Sequence, residues 1–173
     1  MSILDLFKPI RLFVFDVDGV LTDGTIHIFE NGNFTRKMSV RDGYALQLAV
    51  RKGYDIMVIS GSDAEAVVVR MNKLGITNVF MKVTDKLACL KKYIAEKNYD
   101  VSQVLFMGDD IPDIEAMQFS GLPCCPADAV YEVREIVKYI SPFKGGETCV
   151  RDVIEKVMKL NRQWQHLEDI ASR

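Results

Sequence analysis

The chain has 173 residues, of which 49% are hydrophobic and 27% charged, and a formal net charge of −2. That length allows one domain around a single sizeable core with little room for a second, and the composition is globular rather than disordered. Acids and bases are interspersed, with no basic patch, acidic tail or apolar run of membrane length. Neither nucleic acid nor a membrane is therefore an expected partner, and a small anionic ligand would have to be held by a local site.

The N-terminal stretch MSILDLFKPIRLFVF lacks the basic segment and full apolar run of a signal peptide. Residues 11–16 (RLFVFD) form the first strand candidate. Residues 24–40 (GTIHIFENGNFTRKMSV) carry period-2 runs on either side of Asn31-Gly32, which predicts a β-hairpin. It follows the first strand directly, where an α/β unit normally begins its helix, so it should project from the C-terminal edge of the sheet. Further on, strand candidates at 55–60, 78–81, 103–107, 122–125 and 137–140 alternate with helical patterns near 43–52, 64–74, 86–97, 111–119, 130–136 and 149–160. Apolar strands separated by amphipathic helices predict an α/β fold: one Rossmann-like domain over residues 1–173, with a parallel sheet covered by helices on both faces. The tail after 160 is polar apart from Trp164 and a few other residues, and reads as helical or partly loose.

Cys89, Cys124, Cys125 and Cys149 lack zinc spacing, and an adjacent pair is a poor start for a disulfide framework. The expectation is a reduced, cytoplasmic protein. His27 and His166 have no partner pattern and read as surface residues. Met38, Met57, Met71, Met81, Met107 and Met117 fall in apolar periodic contexts and read as core filler.

Chemistry concentrates at four places, each at or just after the end of a strand candidate. Asp16-Val17-Asp18-Gly19 puts two carboxylates around one turn, a dense negative site that is costly unless a cation neutralises it; all-oxygen ligation suits magnesium. Asp16 could attack phosphorus, and Asp18 could protonate the leaving alcohol and later deprotonate water. Gly108-Asp109-Asp110-Ile111-Pro112-Asp113 supplies three more acids, with Asp109 as a metal ligand and Asp110 and Asp113 in support. Ser60-Gly61-Ser62 precedes a helix and suits a phosphate, although Ser62 is also an ordinary N-cap candidate. Lys86 could neutralise a phosphate oxygen or the aspartate pair. Each feature alone has a structural reading as a turn, cap or solvated charge; their joint occurrence in order carries the argument.

The stretches DVDGVLTDG, VISGS, DK and GDDIPD resemble the four motifs of the haloacid dehalogenase superfamily, across essentially the whole chain. The resemblance implies that Asp16 is the nucleophile and Asp18 the acid/base. It further implies that Ser60 and Lys86 hold phosphate, and that Asp16, Asp18 and Asp109 bind Mg2+. SVRDGYALQL, RMNKLGI, VTDKLACL and KGGETCVRDV are similar to the capless 3-deoxy-D-manno-octulosonate 8-phosphate phosphatases. For that family the hairpin at about 24–40 takes the place of a cap domain. The likeness implies a homotetramer acting on a sugar phosphate in lipopolysaccharide precursor synthesis, with Asp18, Arg41, Asp42, Gly43, Gly61, Arg70 and Lys86 around the substrate. Ser62, Gln47 and the run 147–152 depart from that pattern, Ser62 and Gln47 standing where many members carry arginine. This keeps a nonulosonate 9-phosphate phosphatase, or a catalytically silent oligomerisation module, as alternatives.

Overall fold

The computed structural model describes residues 2–170; Met1 and residues 171–173, at the two ends of the expected domain, lie outside the described residues. β1 (Leu12–Phe15) is central in a parallel sheet with β4 (Asp55–Ile59), β5 (Asn78–Phe80), β6 (Val104–Met107), β7 (Leu122–Cys125) and β8 (Tyr139–Ile140), in the order β5-β4-β1-β6-β7-β8. Leu12 aligns with Asp55 on one side and Val104 on the other. The strands are apolar on both faces because both faces are covered. Phe13, Phe15, Ile56, Val58, Leu105 and Met107 pack under α1 (Ile3–Phe7), α2 (Val40–Arg51), α3 (Glu65–Lys73) and α7 (Cys149–Leu160). Leu12, Val14, Met57, Ile59, Val104 and Phe106 pack under α4 (Lys86–Lys97), α5 (Ile114–Phe119) and α6 (Tyr131–Ile136).

After β1 the chain builds outward through β4 and β5, then returns across β1 to build through β6, β7 and β8. The strand order therefore reverses between β1 and β6, and in open parallel sheets ligands bind in the crevice beyond the strand ends at such a point.

The six sheet strands fall where the apolar runs predict them. The hairpin is shorter than its pattern: β2 (His27–Ile28) and β3 (Phe34–Thr35) pair Ile28 with Phe34, and all four residues are exposed. α1 is an addition to the expected elements, fixed by reciprocal hydrogen bonds between Ser2 and Asp5 around its first turn. α2 starts at Val40, earlier than its apolar periodicity suggests, because the Ser39 hydroxyl accepts the Asp42 N–H. The 111–119 segment divides into a 3₁₀ turn (Ile111–Asp113) and α5, with Pro112 in the turn. Ser62 does not cap α3, whose N-cap position is Ala64.

Through residue 170 the tail beyond α7 folds back without forming a helix. Trp164 and Leu167 pack against the core and Ile170 is buried. The Arg151 guanidinium lies over the Trp164 ring at 5.4 Å, so Trp164 meets its own chain. His166 is exposed, as expected, but its Nδ1 lies 2.7 Å from the Tyr44 hydroxyl. Met57, Met71, Met107 and Met117 are buried, and Met38 and Met81 pack at the margin of the core. The four cysteines are free, and no helix among the described residues is long and apolar enough to cross a membrane.

Candidate active site

The chain leaves β1 at Asp16, still extended (φ −69°, ψ 164°), and turns back through Gly19 at φ 89°. Glycine is required there twice over. A side chain resists that φ, and a Cβ would stand 1.9 Å from Asp109 Oδ2. The buried Thr22 hydroxyl accepts the N–H groups of Gly19 and Gly24, both at 3.2 Å, which fixes the turn.

Around this turn gather side chains from three strand ends. Lys86, the first residue of α4, donates from Nζ to Asp16 Oδ1 at 2.8 Å and to Asp113 Oδ1 at 2.6 Å. Asp113 is 1% exposed, and its Oδ2 accepts the N–H groups of Asp109 (3.1 Å) and Asp110 (3.3 Å). One carboxylate thus orders the loop after β6 and locks the lysine. Asp16, Asp109 and Asp113 each offer a carboxylate oxygen within 4.8 Å of the others. Asp109 Oδ1 is buried with no hydrogen-bond partner. Three converging carboxylates with one orphaned buried oxygen can serve as donors to a hard divalent cation, and a buried polar atom without a partner is otherwise costly.

The electrostatics agree. Burial, then the Asp113 charge, lifts the Asp16 carboxyl to about 6 against the pull of Lys86. Burial, then Asp16, Asp113 and Asp110, lifts Asp109 to about 8. Burial alone would depress the Lys86 ammonium, but Asp16 and Asp113 together outweigh it and raise it. The cluster resists carrying its full negative charge unless a cation is added.

The end of β4 completes the site. Ser60 is buried, and its Oγ accepts the Ser62 N–H at 3.1 Å and lies 2.9 Å from the Ser62 hydroxyl. A cavity of about 290 Å³ is lined by Asp16, Asp18, Gly61, Lys86 and Asp109, together with Ser60, Ser62, Asp110 and Asp113. The Asp18 carboxylate stands at its margin, outside the three-carboxylate group, and is taken by Arg36: Nε donates to Oδ1 at 2.6 Å and Nη2 to Oδ2 at 3.3 Å.

Six of the residues expected in the site therefore line one cavity: Asp16, Asp18, Ser60, Gly61, Lys86 and Asp109. The other four lie apart from it in the single chain. Arg41 lines a separate depression of about 500 Å³ with Phe143, Arg151 and Lys156. Asp42 is buried and accepts the Arg151 N–H at 2.7 Å, tying α2 to the start of α7; burial lifts its carboxyl to about 6. Gly43 makes room for Arg70, whose Nη2 a Cβ would meet at 2.7 Å. Sequence reasoning placed Asp113 in a supporting role without its bridge to Lys86, and passed over Arg36 and Gly145. A Cβ on Gly145 would come 1.9 Å from the Gly19 carbonyl oxygen, so this loop presses directly on the turn after β1.

A carboxylate cluster at the end of a central parallel strand, closed by a lysine from beyond β5 and an acidic loop after the neighbouring β6, is the layout of a haloacid dehalogenase-like hydrolase. A family model of that description matches residues 62–147. The 3-deoxy-D-manno-octulosonate 8-phosphate phosphatase of Yersinia pestis is 34% identical over 149 residues, covering 86% of this chain and 80% of that protein. The phosphatase of the same name from Escherichia coli K12 is 32% identical over 87% of this chain and 80% of its own length. Two crystal structures of phosphatases with this name superpose closely. The one from Yersinia pestis has a TM-score of 0.90 at 31% identity, covering 93% of this chain and 87% of its own. The one from Moraxella catarrhalis, in complex with magnesium, phosphate and a KDO molecule, has a TM-score of 0.88 at 32% identity, covering 91% of each chain. The chain belongs to the 3-deoxy-D-manno-octulosonate 8-phosphate phosphatase family of these hydrolases.

Proposed function

We propose that this chain is a magnesium-dependent phosphatase that hydrolyses 3-deoxy-D-manno-octulosonate 8-phosphate to the free sugar acid and phosphate. The observation that carries the reading is the largely buried group Asp16–Lys86–Asp113–Asp109, which offers a nucleophile, a fixed cation and an orphaned carboxylate oxygen in one cavity. Asp16 attacks phosphorus, the ester P–O bond breaks toward the alcohol oxygen, and Asp18 delivers the proton that oxygen needs. Water then cleaves the aspartyl phosphate, with Asp18 as base. Lys86 and the Ser60 hydroxyl hold the transferring phosphoryl group. Asp16 and Asp109, with Asp113 beside them, would hold magnesium, which would supply charge stabilisation at the phosphoryl oxygens.

The family membership supports the eight-carbon sugar acid, and with it a place in lipopolysaccharide precursor synthesis in the cytoplasm. Ser62 and Gln47, where relatives often carry arginine, keep a nine-carbon nonulosonate 9-phosphate as the competing substrate. The intact cluster disfavours a silent module. Ile26, Ile28, Phe29 and Phe34 leave 45–67% of their surfaces exposed on the hairpin, which supports its burial in a homotetramer. Light scattering on the wild type and on Ile28→Asp should read a tetramer and a smaller species; a wild-type monomer would reject the assembly.

The deciding assay is phosphate release from a panel of sugar phosphates with magnesium, for wild type and Asp16→Asn. Turnover concentrated on the eight-carbon ester and lost in the variant is the expected result. Preference for the nine-carbon ester would replace the substrate, and activity that survives Asp16→Asn would reject the mechanism.

A further inference from the structure

Arg36 sits on an exposed hairpin, yet its side chain is only 12% exposed. Its guanidinium lies over the Phe34 ring at 5.0 Å and reaches 18 residues back along the chain to Asp18. Two other contacts join the same two segments: the bridge between Thr22 and Met38, and a 3.8 Å ion pair between Lys37 and Asp23. With only two residues in each strand, the hairpin's place is set largely by these links to the catalytic turn. The direction of the Asp18 carboxylate is set in return by the hairpin.

The two contacts are unequal. Nε to Oδ1 is a short charge-assisted bond at 2.6 Å, whereas Nη2 to Oδ2 is stretched to 3.3 Å. We propose that Arg36 is a positioning residue for Asp18: it anchors Oδ1 and leaves Oδ2 as the oxygen that exchanges a proton with the reacting groups. The inference rests on the phosphatase reading above. In the first step Asp16 bonds to phosphorus, the ester bond breaks, and its electron pair goes to the alcohol oxygen. That oxygen takes the proton from Asp18 Oδ2, so the alcohol departs neutral. In the second step water bonds to phosphorus and gives a proton back to the same oxygen as the Asp16–phosphorus bond breaks. An arginine suits this task better than a lysine, because the planar fork fixes the orientation of the carboxylate as well as its place.

Leaving groups that need a proton distinguish this role from mere support of the hairpin. An alkyl or sugar phosphate departs as a basic alkoxide unless protonated, whereas 4-nitrophenolate departs readily without a proton. Rapid-quench measurement of the first turnover on both esters, for wild type, Arg36→Ala and Arg36→Lys, tests the assignment. Arg36→Ala should slow release of the sugar alcohol on the order of 10-fold or more, within what a misaligned general acid costs. Release of 4-nitrophenol should be held to within about 3-fold, since that step makes little demand on the acid. Arg36→Lys, which can still bond Oδ1 but lacks the fork, should recover only part of the lost rate. Equal loss on both esters, or no loss on either, overturns the proposal while leaving the phosphatase reading intact. A wild type that turns over neither ester overturns the phosphatase reading itself and this inference with it.

Discussion

Magnesium binding should depend steeply on pH, because the carboxylates that would hold the ion hold protons instead when it is absent. The ordinary aspartyl value is 3.8, yet Asp109 stands at about 8 and Asp16 at about 6 in the metal-free protein. A ligand must lose its proton to bind. At pH 6, two units below the Asp109 value, that carboxyl is roughly 99% protonated and Asp16 roughly half so. At pH 8 Asp109 is about half ionised and Asp16 almost fully. Proton competition therefore weakens magnesium binding about 100-fold between pH 8 and pH 6, whereas two ordinary carboxylates would give no change over that range. The stability of the metal-free protein runs the opposite way. A folded-state value above 3.8 means the folded form binds the proton more tightly than the unfolded chain. The contribution of these groups is thus fully present below about pH 4 and is lost as pH rises toward 8. Isothermal titration of EDTA-stripped protein at pH 6, 7 and 8 reads the affinity, and thermal melting with and without magnesium reads the linkage. The shift in Tm on adding magnesium should grow with pH, and Asp109→Asn should flatten it. An affinity constant within about 3-fold from pH 6 to 8 would refute the electrostatic account of the site.

Lys86→Met keeps much of the aliphatic stem but leaves Asp16 and Asp113 facing each other uncompensated in a buried setting. It should cost roughly 3–5 kcal/mol in urea unfolding at neutral pH, and turnover should fall with it; a loss below about 1 kcal/mol would show that the lysine is not the partner both acids need. Gly145→Ala drives a Cβ against the Gly19 and Thr22 carbonyl oxygens, where backbone meets backbone and neither can yield cheaply. The catalytic turn should shift and kcat should drop by about 10-fold or more. Gly53→Ala is the control: its φ is +85° but nothing lies within 4 Å. It should lower stability by about 1 kcal/mol with kcat unchanged, so equal kcat losses in the two variants would contradict the contact.

Much of this molecule was legible in the sequence because its sheet is doubly covered. A run such as residues 56–59 cannot be mistaken for a surface strand, since its side chains are buried on both faces, and the apolar runs located six strands even where the edge strands β5 and β8 are only partly covered. The acids were legible for a related reason: Asp16 and Asp109 directly follow or nearly follow apolar strands, and a parallel sheet places all such ends on one edge. Contacts between segments distant in sequence were not legible. Nothing in the spacing of Arg36 says that it reaches Asp18, or in Gly145 that it meets Gly19; both follow from how the hairpin and the loop before α7 lie on the catalytic turn. The Asp113 bridge to Lys86 lies between these cases. Asp113 follows Asp109 by four positions in a turn that folds back, which brings its carboxylate under two loop N–H groups, but the lysine arrives from another helix. α1 escaped notice because five residues show little periodicity, although Ser2 and Asp5 spelled its cap.

The charges of the site make one further point about how it works. Asp18 is paired with Arg36 at the margin of the cavity, so it adds no net negative charge there. Inside, Asp16, Asp109 and Asp113 contribute three negative charges when ionised and Lys86 one positive, leaving a balance matched by a single divalent cation. Without that ion the cluster can only approach neutrality by taking up protons, and a protonated Asp16 is a poor nucleophile. With it, Asp16 would be ionised beside a cation, and an incoming phosphate monoester would meet a far less negative wall, with Asp110 left at the rim. On this reading one divalent ion would meet three demands: it would give the orphaned Asp109 oxygen a partner, keep the proposed nucleophile Asp16 unprotonated, and make the cavity more receptive to an anion that the chain's overall charge of −2 does nothing to attract.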